Sequence, residues 1–387
     1  MAVEEDDVLD SVGEITEDDL NIKSNDFREM VVAPTDWTIS VLVDLLKRKK
    51  IDLQPNYQRR IAWTVDKMSK FIESLFLRLP VPQIVLAETS PGRFAVIDGK
   101  QRLNSLARFC LDIDSPLTLK GCEYRQDLDG LTYAKMQSRD DLEGSVDAFQ
   151  SHTVRTTVVK NWGSDELLYL LFLRLNQNSV TLSPQELRRA LYPGAFLNWL
   201  DEKTSTSPGM QQIFARIPDF RMRDMELATR FLGFHLYGSL YAGNMKQFLD
   251  NVTEHITAHW KNLAPQIEDA WTKYEESIST TVAIFGPDAF KMWQRDRFLP
   301  TKNRAVMDVM TYYFSAGDTS HTARQNSAAV KDAFKSLCDH DDDFRRSLQV
   351  STKTDEATNM RFTQWGQTLQ AVLNTGVRDY PSTLLQY

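Results

Sequence analysis

Phe94-Ala95-Val96-Ile97-Asp98-Gly99-Lys100-Gln101-Arg102-Leu103 reads as a strand that stops at a glycine and turns at once into a helix. Phe94 to Ile97 is a short apolar run, and Lys100 to Cys110 places Leu103, Leu106, Ala107 and Cys110 at helical spacing. A helix that begins directly after a strand leaves its first backbone N–H groups unbonded, and such groups suit a phosphate. Lys100 and Arg102 add cationic donors at the same place, and Asp98 is a carboxylate able to hold Mg²⁺ or to orient a water beside that phosphate. The same letters also read as an ordinary Asp-Gly turn followed by a solvated helix face, and spacing does not choose between the two. No Gly-x-x-x-x-Gly-Lys-Ser/Thr loop and no Gly-x-Gly-x-x-Gly fingerprint occurs in the chain.

Upstream, Gln83 to Ala87 reads as a second strand, joined to the first by the turn Thr89-Ser90-Pro91-Gly92. Before it, Thr64 caps a helix with Met68, Phe71, Ile72, Leu75, Phe76 and Leu79 on one face, stopped by Pro80 and Pro82. An earlier helix is expected from an N-cap at Ser40, with Val41, Leu42, Leu45 and Leu46 at helical spacing. Between these helices lies a loop carrying Tyr57-Gln58-Arg59-Arg60, with Trp63 close behind. Its arginines could clamp phosphates, or its aromatics could simply plug into a core.

Downstream, residues 112–150 are polar and irregular and read as a loop excursion, after which Thr153 to Val159 returns to the sheet. From Ser164 onward the pattern is helical, over 165–175, 184–192, 224–239, 244–260, 265–283, 302–314, 323–338 and 357–374. Ser183-Pro184-Gln185-Glu186 is a capping box with proline at the first helical position. Arg174 and Asn176 end the preceding helix, where they either anchor the connection or project toward the sheet. The fold class is therefore α+β. An acidic flexible tail (1–34) precedes a small mixed-sheet domain (35–160), and a larger all-helical domain (161–387) follows.

The net charge of −8 over 387 residues is concentrated at one end, because residues 1–20 hold nine of the 53 acidic side chains and no basic one. The remainder has 45 basic against 44 acidic residues, a net of +1. The body thus lacks the basic footprint that announces a nucleic-acid binder, without excluding one. No stretch approaches 18 apolar residues and the first ten are acidic, so neither a membrane span nor a secretory signal is expected, and the chain reads as cytoplasmic. Cys110, Cys122 and Cys338 fit reduced thiols rather than a disulfide framework. The strings Arg221 to Glu226 and Arg295-Asp296-Arg297 alternate in sign and read as solvated faces. His255 and His259 stand four apart without a third ligand, so no zinc site is expected.

Four ordered segments carry a resemblance: Asn56 to Trp63, then Ile72-Glu73-Ser74 to Leu79-Pro80-Val81-Pro82, then Ile97 to Leu103, then Phe172 to Asn176 with Leu182 to Leu187. Together they resemble the ParB/sulfiredoxin-like domain of GmrSD-type modification-dependent restriction enzymes and the related SspE proteins, over about residues 35–190. The resemblance implies an NTP-binding and NTP-hydrolysing component of an anti-phage defence system, working with Mg²⁺. It implies Asp98, Gln101 and Arg102 as catalytic residues, with Asp98 also the metal ligand. Tyr57, Gln58, Arg59, Gly99, Lys100, Arg174 and Asn176 would bind the nucleotide. The family's motif is usually Asp-Gly-Gln-Gln-Arg, and Lys100 departs from it where the first Gln is expected. Many relatives carry an HNH nuclease; this chain has no His-Asn-His arrangement, so a separate nuclease subunit is the expected partner. DNA and a second copy of the chain are the other partners this reading admits. The alternative is a protein that binds DNA or a nuclease partner without NTP turnover, and a third option is a helical scaffold.

Overall fold

The computed structural model describes residues 9, 20, 22, 27–53, 63–111, 116–175, 183–349 and 353–381. The chain divides into two compact units, Leu20–Leu191 and Met1–Asp19 with Tyr192–Tyr387.

The first unit runs β1 (Val31–Thr38), α1 (Ile39–Lys47), β2 (Ile51–Asp52), α2 (Val65–Phe76), β3 (Ile84–Ser90), β4 (Arg93–Asp98), α3 (Lys100–Cys110), α4 (Tyr133–Gln137), α5 (Glu143–Ser151), β5 (Thr153–Lys160), α6 (Asp165–Leu175) and α7 (Pro184–Leu191). Its five-stranded sheet has the order β1-β5-β3-β4-β2. The β1/β5 and β3/β4 pairs are antiparallel, and the β3/β5 and β2/β4 pairs are parallel, so the sheet is mixed.

Alternation along the strands sorts the side chains between two layers. Ile84, Leu86, Phe94, Val96, Val154 and Val158 join one core with residues of α1, α2, α3 and α5. Val85, Ala87, Ile97 and Val159 face the other way, onto Leu168 and Tyr169 of α6 and Leu187 of α7. A sheet buried on both faces explains why IVLA and FAVI are continuously apolar rather than alternating. It also corrects the expected boundary at residue 160. Helices α6 and α7 form the second wall of the sheet, so the unit extends to Leu191.

Three further expectations give way in this unit. The chain before residue 35 is not all tail, because β1 starts at Val31 and pairs with β5 along its whole length. The helix that follows is capped by Thr38 rather than Ser40: Val41 N donates to Thr38 Oγ1 at 3.3 Å. Within the expected loop 112–150, the described residues 116–150 do not form a bare loop. Leu117, Leu119, Leu128, Met136, Leu142, Val146 and Phe149 are buried in the core, and Phe149 stacks on Phe76 with ring centroids 4.4 Å apart.

The second unit continues with α8 (Ala195–Thr206), α9 (Pro208–Ile213), α10 (Arg223–Tyr237), α11 (Met245–Ala258), α12 (Trp260–Phe285), β6 (Lys291–Gln294), β7 (Arg297–Lys302), α13 (Arg304–Phe314), α14 (Gly317–Gln325), α15 (Ser327–His340), α16 (Asp342–Gln349) and α17 (Asp355–Leu373). It is helical apart from one antiparallel hairpin, β6/β7. Arg295 (φ 52°) and Asp296 (φ 61°) form the hairpin's turn, so this charged string is solvent-facing as expected. Leu9 is 4 % exposed and bridges to Lys302, so the acidic leader is anchored at that point. None of the three cysteines forms a disulfide, and burial pushes the Cys122 thiol up to about 11.

The string Arg221 to Glu226 proves mostly internal. Arg223, Asp224 and Glu226 are buried, and Arg223 forms a fork onto Asp219 through Nε and Nη2. Deeper in the unit, Arg230 of α10 donates Nε and Nη2 to Asp308 of α13 at 3.0 and 2.5 Å, and Arg361 of α17 approaches Asp308 at 3.6 Å.

His235, also in α10, is buried, and Arg378 Nη1 lies 2.7 Å from its Nδ1. A guanidinium only donates, so this Nδ1 must be a bare acceptor and the ring neutral. Burial, with the Arg378 charge adding to it, holds the imidazole down at about 3. Between that value and the ordinary 6.5 the unfolded chain binds a proton that the native protein does not, so stability is complete above pH 6.5 and is lost as pH falls. Lowering the pH from 7 to 5 is expected to cost the wild type about 2 kcal/mol more than His235→Gln in urea unfolding of this unit. Equal pH slopes in the two proteins would refute this.

Candidate functional site

Strand β4 ends at Asp98, α3 begins at Lys100, and Gly99 between them has φ 100°. Only glycine adopts that backbone without strain. A Cβ at Gly99 would also lie 3.1 Å from Ile84 Cγ1 and 3.3 Å from Arg102 Nη2, so the turn has no room for a side chain. The β3/β4 register slips between Val85 and Leu86, opposite Asp98 and Val96, which re-aims the end of β4.

The Asp98 carboxylate closes the junction. Its Oδ1 accepts from Gly99 N at 2.7 Å, and its Oδ2 accepts from Arg102 Nη2 at 2.8 Å, one helical turn on. Arg102 Nη2 also donates to the Gln83 carbonyl at 2.9 Å, tying the start of α3 to the start of β3. The Arg102 side chain is 13 % exposed, and its buried Nε has no partner among the described residues. No side chain caps α3, so the amides of its first turn are offered outward.

Lys100 is held from the other side of the sequence. Its Nζ lies 2.6 Å from Glu186 Oε1, with the two side chains 11 % and 6 % exposed. Glu186 Oε2 accepts from Ser183 N at 2.7 Å while Glu186 N donates to Ser183 Oγ at 3.2 Å, so the expected capping box is present. One carboxylate therefore starts α7 and neutralises the lysine of the junction. Lys100 was expected to meet phosphate directly; in this structure its charge is already paired.

Gln101 differs from expectation in the same way. Its Oε1 accepts from Trp63 N at 3.4 Å, which pins the residue closing the 54–62 segment beside α3. Trp63 itself packs edge-on against Phe71, with ring centroids 5.7 Å apart. Tyr57, Gln58, Arg59 and Asn176 lie outside the described residues. Arg174 is exposed in the last turn of α6, a helix that packs on β4. Thus Asp98, Gly99, Lys100, Gln101 and Arg102 share one junction. Sequence reasoning missed three of their contacts, to Gln83 O, Trp63 N and the second use of Glu186, and it also missed buried Asn104 one turn into α3.

No group of three or more His, Cys, Asp or Glu side chains able to hold a metal occurs among the described residues. His255 and His259 instead lean on one another, with ring centroids 4.5 Å apart. Asp98 alone fits Mg²⁺ as a single carboxylate ligand, since its side chain is 27 % exposed and only two of a carboxylate's roughly four acceptor positions are used. Phosphate oxygens and waters would complete such a shell. Among the described residues, no helix is long and apolar enough to cross a membrane.

No curated protein and no solved structure shows a significant match to the chain. One family comparison covers the junction, from within α1 to just past α7. Residues 42–193 match the GmrSD restriction endonuclease N-terminal domain.

Proposed function

We propose that the chain binds a nucleoside triphosphate at the Asp98–Arg102 junction and hydrolyses it with Mg²⁺, as the regulatory or specificity component of a restriction-type phage-defence system. The observation that carries this reading is the uncapped N-terminus of α3, which sets outward-facing amides beside Arg102, Lys100 and Asp98 within a domain of restriction-enzyme kind. Amides and a guanidinium fit phosphate oxygens. Asp98 supplies the carboxylate that would hold Mg²⁺; the ion, when bound, neutralises charge between phosphate oxygens. Arg102 orients the phosphate through the same guanidinium that Asp98 and the Gln83 carbonyl hold in place. Gln101 holds the Trp63 amide through its Oε1.

The test is a melting-temperature panel of ATP, GTP, CTP and UTP with Mg²⁺, paired with phosphate release, on wild type, Asp98→Ala and Arg102→Ala. At a ligand concentration of a hundred times Kd, binding adds about 2.7 kcal/mol to stability, a shift of several degrees. The expected result is a shift and turnover in the wild type and loss of turnover in both variants. Equal turnover in all three would refute it.

A second reading is favoured by one observation: both cations of the junction are already paired, Lys100 with Glu186 and Arg102 with Asp98. On that reading the chain binds DNA or a separate nuclease subunit, and nucleotide turnover is absent. Salt-dependent DNA binding that Asp98→Ala leaves unchanged would favour it, since phosphate contacts release counterions.

A further inference from the structure

Asn104 lies one turn into α3 and is 3 % exposed, yet neither its Nδ2 nor its Oδ1 has a partner among the described residues. Its polar neighbours on the helix are engaged. Ser105 Oγ donates to the Gln101 carbonyl at 2.8 Å, Gln101 Oε1 accepts from Trp63 N, Lys100 pairs with Glu186, and Arg102 is shared between Asp98 and the Gln83 carbonyl. A buried amide left empty at both ends is disfavoured in a resting protein, and such groups mark places where something else completes the bonding.

Position says what that something is. Asn104 is four residues after Lys100, on the same stripe of α3, and a helical side chain leans toward the helix N-terminus and covers the turn before its own Cα. The amide is thereby directed at the uncapped first turn, where outward-facing N–H groups suit an anion. An amide differs from the surrounding cations in offering a donor and an acceptor together. A phosphate oxygen can take the Nδ2 hydrogen, whereas Oδ1 needs a donor, and a water on that phosphate supplies one. Gln101, expected among the catalytic residues, has its carbonyl turned to Trp63 N.

We propose that Asn104 is a ligand-contacting residue, donating from Nδ2 to a phosphate oxygen of a nucleotide held at the start of α3 and accepting at Oδ1 from a water bound to it. This rests on the nucleotide reading above and assigns it one more residue. Measured on the full chain with each of the four nucleoside triphosphates and Mg²⁺, Asn104→Leu is expected to raise the ligand-free melting temperature, because an apolar side chain of similar size replaces an unpaired amide. The same substitution raises the apparent Kd about ten- to a hundredfold, the range for a lost hydrogen bond to a charged group. Asn104→Ala should weaken binding as much, and it decides the matter if the leucine variant does not fold. A wild-type Kd in the variants overturns the proposal. If Asn104→Leu folds, a lower ligand-free melting temperature in it also overturns the proposal, since the amide would then have a partner in the resting protein. If the wild type itself responds to no nucleotide, the nucleotide reading fails and takes this inference with it; a responsive wild type with unaffected variants sinks the inference alone.

Discussion

Asp308→Ala lowers the unfolding free energy of the helical unit by about 3–5 kcal/mol, the range for removing one partner of a buried ion pair. Asp308 is 4 % exposed and receives two hydrogen bonds from Arg230, whose side chain is 3 % exposed, with Arg361 close behind and fully buried. For Arg230, burial works against the charge, and Asp308, with Glu226 behind it, more than offsets burial and holds the guanidinium above its ordinary value. Removing the carboxylate takes the main counter-charge from two buried guanidinium groups. Burial already pulls Arg361 below its ordinary value, and Asp308 is the foremost charge opposing that pull, so its removal deepens the penalty. Urea denaturation monitored by the tryptophans of this unit checks the claim, and a loss under 1 kcal/mol would contradict it. Replacing all three residues by apolar ones of similar volume should cost far less, because the penalty lies in unpaired charge rather than in lost attraction.

Glu186→Gln separates stability from ligand affinity in the sheet-containing unit. The carboxylate caps α7 through Ser183 N and pairs with Lys100 Nζ, both with little solvent contact. Glutamine retains the acceptor for Ser183 N, so the cap survives, but the lysine loses its counter-charge. The expected loss of stability is again a few kcal/mol, about 3, for breaking a buried pair from one side. If an anion occupies the start of α3, the same substitution releases Lys100 to meet it, and nucleotide binding tightens while the ligand-free protein melts lower. Simultaneous loss of both would show that Lys100 has no part in binding.

The junction was legible because its signals are local. A strand run, a glycine and a helical repeat occupy ten consecutive residues, and glycine's φ of 100° is the conformation that such a turn demands. The capping box at Ser183 was legible for the same reason: its two hydrogen bonds span three residues. What escaped was long-range. Nothing near Lys100 signals that its partner stands 86 residues later, or that Gln101 meets a backbone amide 38 residues earlier. The polar look of Arg221 to Glu226 misled because alternating charge describes a solvated face and a fully paired interior equally well, and only Asp219 and Arg304 decide between them. The boundary at 160 misled because helical periodicity marks where a helix lies, not which layer it covers. Leu168, Tyr169 and Leu187 belong to the sheet although they follow it in sequence.

The strand order carries a consequence for synthesis on the ribosome. β5 lies between β1 and β3, so the first strand made must wait for the last before either of its edges is paired. While the hairpin of β3 and β4 closes locally, Val31 to Thr38 trails behind more than a hundred residues of nascent chain without a neighbour. Proline at position 34 and charge at Asp36 guard that waiting strand against adding itself to a neighbouring polypeptide. Arrival of Thr153 to Lys160 is thus what gives the first strand its neighbour and joins it to the β3/β4 hairpin.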